Sequence, residues 1–165
     1  MENLSPSRPT GTATRVNHGK FLTFKLGAES YGINVLSVRE IISLPAITVV
    51  PQMPADVRGV INLRGKIIPV LDLRRRFGFP DGQITVQTCV IVVQVSYESG
   101  RSGQQGLLVD GVEEVLQIND SEMEDTPDFG GSLSADYFLG MAKVKGQVKA
   151  LLAIDRVLGG NAAAN

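Results

Sequence analysis

Apolar positions along this chain come in short runs separated by Gly, Pro, Asn and Ser, a rhythm that predicts many short strands. Residues 21–26 open a first strand, Gly27 and Ser30 bracket a turn, and Tyr31, Ile33 and Val35 answer it, predicting a hairpin. Val35, Val38, Ile41 and Ile42 then fall at helical spacing and predict one or two helical turns over 35–42, ended by Pro45. A short strand over 47–50 follows, and Pro51 and Pro54 mark a loop. The stretch 56–62 reads as helical or irregular. Leu63-Arg64-Gly65-Lys66 reads as a turn with Gly65 at positive φ, and 67–71 as a strand in which Pro69 demands an edge or an unpaired N–H position. Asp72 caps a short helix that Gly78 and Pro80 stop.

The second part of the chain repeats the rhythm. Residues 88–95 form the most apolar strand, 97–105 a Ser/Gly-rich hairpin loop and 106–110 the returning strand. Val112, Val115, Leu116 and Ile118 form a further apolar segment, and 119–136 an acidic loop. The stretches 137–144 and 148–154 pair around Gly146, followed by a helical turn over 155–158. Residues 1–18, rich in Ser, Pro, Thr and Asn, predict a disordered tail, and 159–165 a frayed end.

Two of these segments are written alike. Gly59 through Arg74 and Gly140 through Arg156 each place a basic residue before a glycine, then an apolar strand, then an Asp-containing segment. Gly59 corresponds to Gly140 and Gly65 to Gly146 at one offset, 81 (140 − 59 and 146 − 65), and Asp72 to Asp155 at 83 (155 − 72). Upstream, Val38 corresponds to Val112 at 74 (112 − 38). The chain therefore reads as a duplication with halves of about 20–80 and 86–158, interleaved in one domain over 19–158. Short strands at this density predict small closed barrels, since closure removes exposed edges.

Composition narrows the function. The 165 residues are 43% hydrophobic, enough for a core, and the formal net charge of −1 with no Trp is a poor platform for nucleic acid. No apolar run reaches the ~18 residues of a membrane span; no secretion signal follows the start, so a cytoplasmic protein without direct membrane insertion is expected. The single Cys89 and single His18 leave no metal-ligand set and no His-based triad, so neither catalytic residues nor a cofactor are expected. Asp72 and Asp155 each read as helix caps, Arg74-Arg75-Arg76 as a solvated helix face, and 120–125 as a solvated acidic loop. Arg64, at a turn tip, suits a bidentate contact with a partner, and Glu40 stands exposed on the predicted helix.

Four stretches resemble the CheW family of chemotaxis coupling proteins. They are 21–27 with Tyr31-Gly32-Ile33; Val38-Arg39-Glu40-Ile41; Gly59-Val60-Ile61-Asn62-Leu63-Arg64-Gly65 through Leu73; and Val109-Asp110-Gly111-Val112. Pro127, Phe129 and 137–140 add to the likeness. The resemblance implies a mainly β fold of two SH3-like five-stranded β-barrels with short helices. It also implies a non-enzymatic adaptor, associated with membrane-bound receptor arrays, that couples the cytoplasmic hairpin tip of a chemoreceptor to the regulatory domain of the histidine kinase CheA. By position it makes Val38, Glu40, Ile41, Asn62 and Arg64 receptor-facing, in a groove lined by Val38 and Ile41, and Ile47 and Gly59 kinase-facing. Couplers of twitching or surface-sensing pathways share the pattern.

Overall fold

The computed structural model describes residues 19–97, 99–126 and 135–163. Eleven strands are described: β1 (Gly19–Leu26), β2 (Glu29–Asn34), β3 (Val38–Ser43), β4 (Val57–Leu63), β5 (Lys66–Asp72), β6 (Cys89–Ser96), β7 (Ser102–Val109), β8 (Gly111–Ile118), β9 (Met123–Glu124), β10 (Phe138–Val144) and β11 (Gln147–Leu152). Two helices follow β5 and β11: α1 (Leu73–Arg76) and α2 (Ile154–Ala163). The fold is mostly β, and the predicted tail (1–18), His18, Pro127 and Phe129 lie outside the described residues.

The strands form two sheets, ordered β8-β1-β2-β11-β10-β9 and β3-β6-β7-β5-β4. Each sheet draws on both halves of the chain. The hairpin β1–β2 lies between β8 and β11, and the hairpin β6–β7 between β3 and β5. Replacing β1, β2, β3, β4 and β5 by β6, β7, β8, β10 and β11 converts one order into the other, with the segment around Thr48 standing for β9. The duplication is thus a two-fold exchange of hairpins. Parallel pairs β5–β7 and β2–β11 stitch each exchanged hairpin to its host.

The repeat holds down to single hydrogen bonds. Both β4–β5 and β10–β11 turn through two residues of positive φ, Arg64 (52°) and Gly65 (87°), and Lys145 (53°) and Gly146 (79°). These are the mirror-image turns whose twist matches a tight hairpin, and the glycine carries the more strained position. The N–H of Asp72 donates to the Asp56 carbonyl and that of Ala153 to the Tyr137 carbonyl, both at 2.7 Å. Both donor and acceptor are displaced by 81 (153 − 72 and 137 − 56), so the counterpart of Asp72 is Ala153 rather than Asp155. Asp72 accepts from the N–H groups of Arg74 and Arg75 and caps α1. Asp155 caps nothing: it lies inside the first turn of α2 and accepts from the Ser96 N–H at 3.1 Å.

Several local expectations change. The stretch 35–42 is a single 3-10 turn (Val35–Ser37) followed by β3, where exposure alternates along the strand instead of following a helical stripe. Pairing with β6 overrides the helical spacing. The stretch 56–62 is mostly β4. Residues 102–105, expected in a loop, extend β7, because Ser96 pairs with Ser102. Pro69 sits inside the sheet rather than at its edge, opposite Val60, which directs its own N–H and C=O to Thr48. Its missing N–H costs nothing because β7 joins β5 only from Val70. The chain after 158, expected to fray, continues α2 to Ala163.

The barrels are not closed ladders: β3 and β4 remain edges of one sheet, β8 and β9 of the other. Thr48 exchanges two backbone bonds with Val60 (2.8 and 2.9 Å) beside the first seam, and β9 pairs with β10 in the equivalent place. Both crossings need a glycine. A Cβ on Gly59 would stand 2.2 Å from the Thr48 carbonyl oxygen, and one on Gly140 2.8 Å from that of Glu124. Each glycine also marks a register shift in its hairpin.

One core serves both sheets. Leu22, Phe24 and Ile33 of one sheet pack with Ile91, Val93 and Leu107 of the other, around Leu73 and Phe77 of the α1 segment. The Phe77 ring centroid lies 5.6 Å from that of Tyr31, 6.1 Å from Tyr137 and 6.4 Å from Phe138. Smaller clusters around Ile68 and Val92, and around Phe21 and Leu151, fill the separate modules. Gly59→Ala should cost more than about 3 kcal/mol of unfolding free energy, since it adds a backbone collision to a φ of 147°. Gly65→Ala, with nothing within 4 Å of its Cβ, should cost only about 1–2 kcal/mol. Equilibrium urea denaturation of the two variants measures the difference, and equal losses would refute the crossing as the constraint.

Candidate partner-binding site

The β4–β5 turn is built by its own residues. The Asn62 side chain accepts from the Gly65 N–H at 2.8 Å and holds Arg64 at the tip. From there Arg64 reaches across the open seam to Glu40 on β3. Its Nη1 donates to Glu40 Oε1 at 3.2 Å and its Nη2 to Oε2, a bidentate pair between the two edges of one sheet. The Arg64 side chain stays 70% exposed and that of Glu40 29%. The hydrogen bond from Arg64, reinforced by its charge, lowers the Glu40 pKa below the ordinary value of 4.5 despite some desolvation. At this exposure the pair fixes geometry more than it adds stability. Ile67, 62% exposed opposite Asn62 on β5, adds apolar surface beside the turn, and Ile41, next to Glu40 along β3, is 44% exposed.

The structure therefore brings Glu40, Asn62 and Arg64 together at one turn, with Ile67 opposite Asn62, whereas Ile41, paired with Ile91, points to the other side of β3 from Glu40, paired with Val92. Val38, opposite Val93, and Ile41, opposite Ile91, share one side of β3, where Val38 is half-buried and packs against the core shared by both sheets. Ile47 and Gly59 meet at the crossing, where a Cβ on Gly59 would also lie 2.9 Å from Ile47 Cγ2. Gly59 is buried and Ile47 packs against the first module's core, so both shape the surface from beneath. Leu36, 87% exposed on the 3-10 turn before β3, is a bare apolar side chain that the helical reading of this stretch obscured.

The arginine run is no solvated face. Arg74 Nη1 donates to Asp110 Oδ2 at 2.8 Å, Arg75 pairs with Asp81 at 3.0 Å, and Arg76 pairs with Asp56 at 3.1 Å. Cys89 is buried, and burial raises its thiol pKa, the opposite of an activated nucleophile. Among the described residues no group of three or more His, Cys, Asp or Glu side chains is placed to hold a metal ion, and no helix is long and apolar enough to cross a membrane.

A depressed carboxyl pKa in the fold means that the Glu40–Arg64 pair is fully made above the unfolded glutamate value and is lost as pH falls through the folded value. A carbon-detected NMR titration of the Glu40 carboxyl should inflect below 4.5 and return toward it in Arg64→Gln. An unshifted inflection in the parent protein would show that the pair does not persist in solution.

A family model for the CheW-like domain matches residues 20–161. The chemotaxis protein CheW of Rhizobium meliloti is 33% identical over 150 residues, 90% of this chain and 94% of that protein. Protein FrzA of Myxococcus xanthus is 27% identical over 149 residues, covering 90% and 88%. Among solved structures, the scaffolding protein TtCheW from Thermoanaerobacter tengcongensis matches with a TM-score of 0.74 at 31% identity, over 86% of this chain and 95% of that one. With the repeated hairpins, the exchanged sheets and the Asn-Leu-Arg-Gly turn all in place, the chain belongs to the CheW family.

Proposed function

We propose that this protein is a non-enzymatic chemotaxis adaptor that joins the cytoplasmic hairpin tip of a chemoreceptor to the regulatory domain of the kinase CheA. The observation that carries this reading is the bidentate Glu40–Arg64 pair, exposed at the seam beside a turn that also presents Ile67. A helical hairpin offers apolar ridges with polar flanks, and such a surface matches it. Ile67 supplies apolar contact area, while the charge pair sets register and encounter rate. Asn62 holds the turn that presents Arg64. The kinase is assigned to the side of the first module shaped by Ile47 and Gly59, so the protein touches its two partners through separate surfaces. It works in the cytoplasm, at the membrane-bound array, without inserting into the bilayer. The likeness to FrzA supports a second reading, a coupler of a parallel motility pathway, in which the same surfaces meet a different receptor.

Calorimetric titration with a purified receptor tip and, separately, with the kinase regulatory domain tests the assignment. Arg64→Glu should weaken receptor binding at least tenfold and leave kinase binding within twofold. The double swap Glu40→Arg/Arg64→Glu, which rebuilds the pair in reverse, should not restore receptor affinity. Unchanged receptor affinity in Arg64→Glu would remove this face from the interface.

A further inference from the structure

The duplication fixes where its two-fold axis runs. Positions 56 and 137 are equivalent, as are 76 and 157 (137 − 56 and 157 − 76 are both 81). The Arg76 guanidinium touches all three of the other positions. Its Nη1 donates to Asp56 Oδ2 at 3.1 Å, its Nη2 donates to the Val157 carbonyl at 2.9 Å, and its Cζ lies 5.5 Å from the Tyr137 ring centroid. A residue that touches its own counterpart lies on the axis relating the halves, so this cluster marks the axis. Repetition is broken at that point: one side presents a carboxylate to the cation, the other an aromatic face. The side chains of Arg76 and Asp56 are each only 14% exposed, so the contact is little screened by solvent.

We infer that Arg76 is a positioning residue that sets the angle between the two modules, and thereby between two docked partners. It is held by the segment before β4, the 3-10 turn before β10 and α2, three elements that approach the axis from different sides. The shared core around Phe77 opposes separation of the sheets, but packing of side chains alone leaves small rotations open. A planar fork held by a carboxylate, a carbonyl and a ring has one geometry. None of the residues in this cluster belongs to the proposed receptor or kinase surface, so its effect on coupling passes through orientation. The last step rests on the adaptor reading; the orientation itself does not.

The test uses the full chain with Cys89→Ala and spin labels at Lys66→Cys and Lys143→Cys, one in each module. In the parent, electron–electron distance measurement should give one narrow distribution. Arg76→Met should at least double its width. Asp56→Asn/Arg76→Met, which removes both charges together and leaves no orphaned carboxylate, should do the same if the single variant folds poorly. Affinities for the isolated receptor tip and for the isolated kinase regulatory domain should stay within twofold, while kinase activity controlled through receptor, adaptor and kinase together should fall at least fivefold. An unchanged distance distribution in both variants would overturn the inference without touching the adaptor reading. A broadened distribution with unchanged coupling, or a loss of affinity for either isolated partner, would overturn the coupling role.

Discussion

The constraint on which the structure depends is the exchange of hairpins between the two halves. The strand that follows the first hairpin, β3, does not pair with it but with β6, and β8 returns to pair with β1. Neither half can complete a sheet without the other. Ladder hydrogen bonds therefore tie the two sequence halves together inside each module, and the largest core cluster lies between the modules. A body of this kind has two similar ends at a fixed separation, which suits a protein whose work is to hold neighbours in a defined geometry.

Exchange also leaves each sheet with two edges, a hazard for aggregation. The chain covers both seams by the same device, a crossing segment that approaches a glycine, and then decorates them differently. At the first seam Arg64 finds Glu40. The corresponding turn residue at the second is Lys145. Inside the modules, Ile68 and Lys149 occupy equivalent positions, both almost fully buried (149 − 68 = 81). Lys149 is tolerated because its ammonium donates to Ser30 Oγ at 3.0 Å and Gln147 Oε1 at 3.2 Å, with Glu113 at 3.6 Å. At the axis, Arg76 faces Asp56 on one side and Tyr137 on the other. A symmetric frame thus carries two chemically distinct surfaces.

Much of this was legible in the sequence, for identifiable reasons. Gly59 and Gly140 recur at one offset because a side chain there would meet backbone, Gly65 and Gly146 because each takes a positive φ, and together they exposed the repeat. The turn and the positive φ of Gly65 were readable, although the positive φ of Arg64, which makes it a mirror-image turn, was not. The stretch 35–42 misled because β3 has a register shift between Val38 and Glu40, which moves its apolar residues off strict alternation and onto helical spacing. The arginine run misled because two of its partners, Asp110 for Arg74 and Asp56 for Arg76, are distant in sequence, and no periodicity encodes such contacts. Closed barrels were expected because edges are costly, and the crossings at Thr48 and β9 meet that cost without closing the ladders.

The most direct measurement of the central claim is native-state hydrogen exchange, comparing amides of β1 with those of β6. If the exchanged hairpins make the modules one unit, the slowest amides of both strands should exchange only through global opening, with free energies equal to each other and to the denaturant-derived stability. If one strand instead exchanged at a free energy lower by more than about 1 kcal/mol, the modules would open independently, and the account of a single rigid bridge would be wrong.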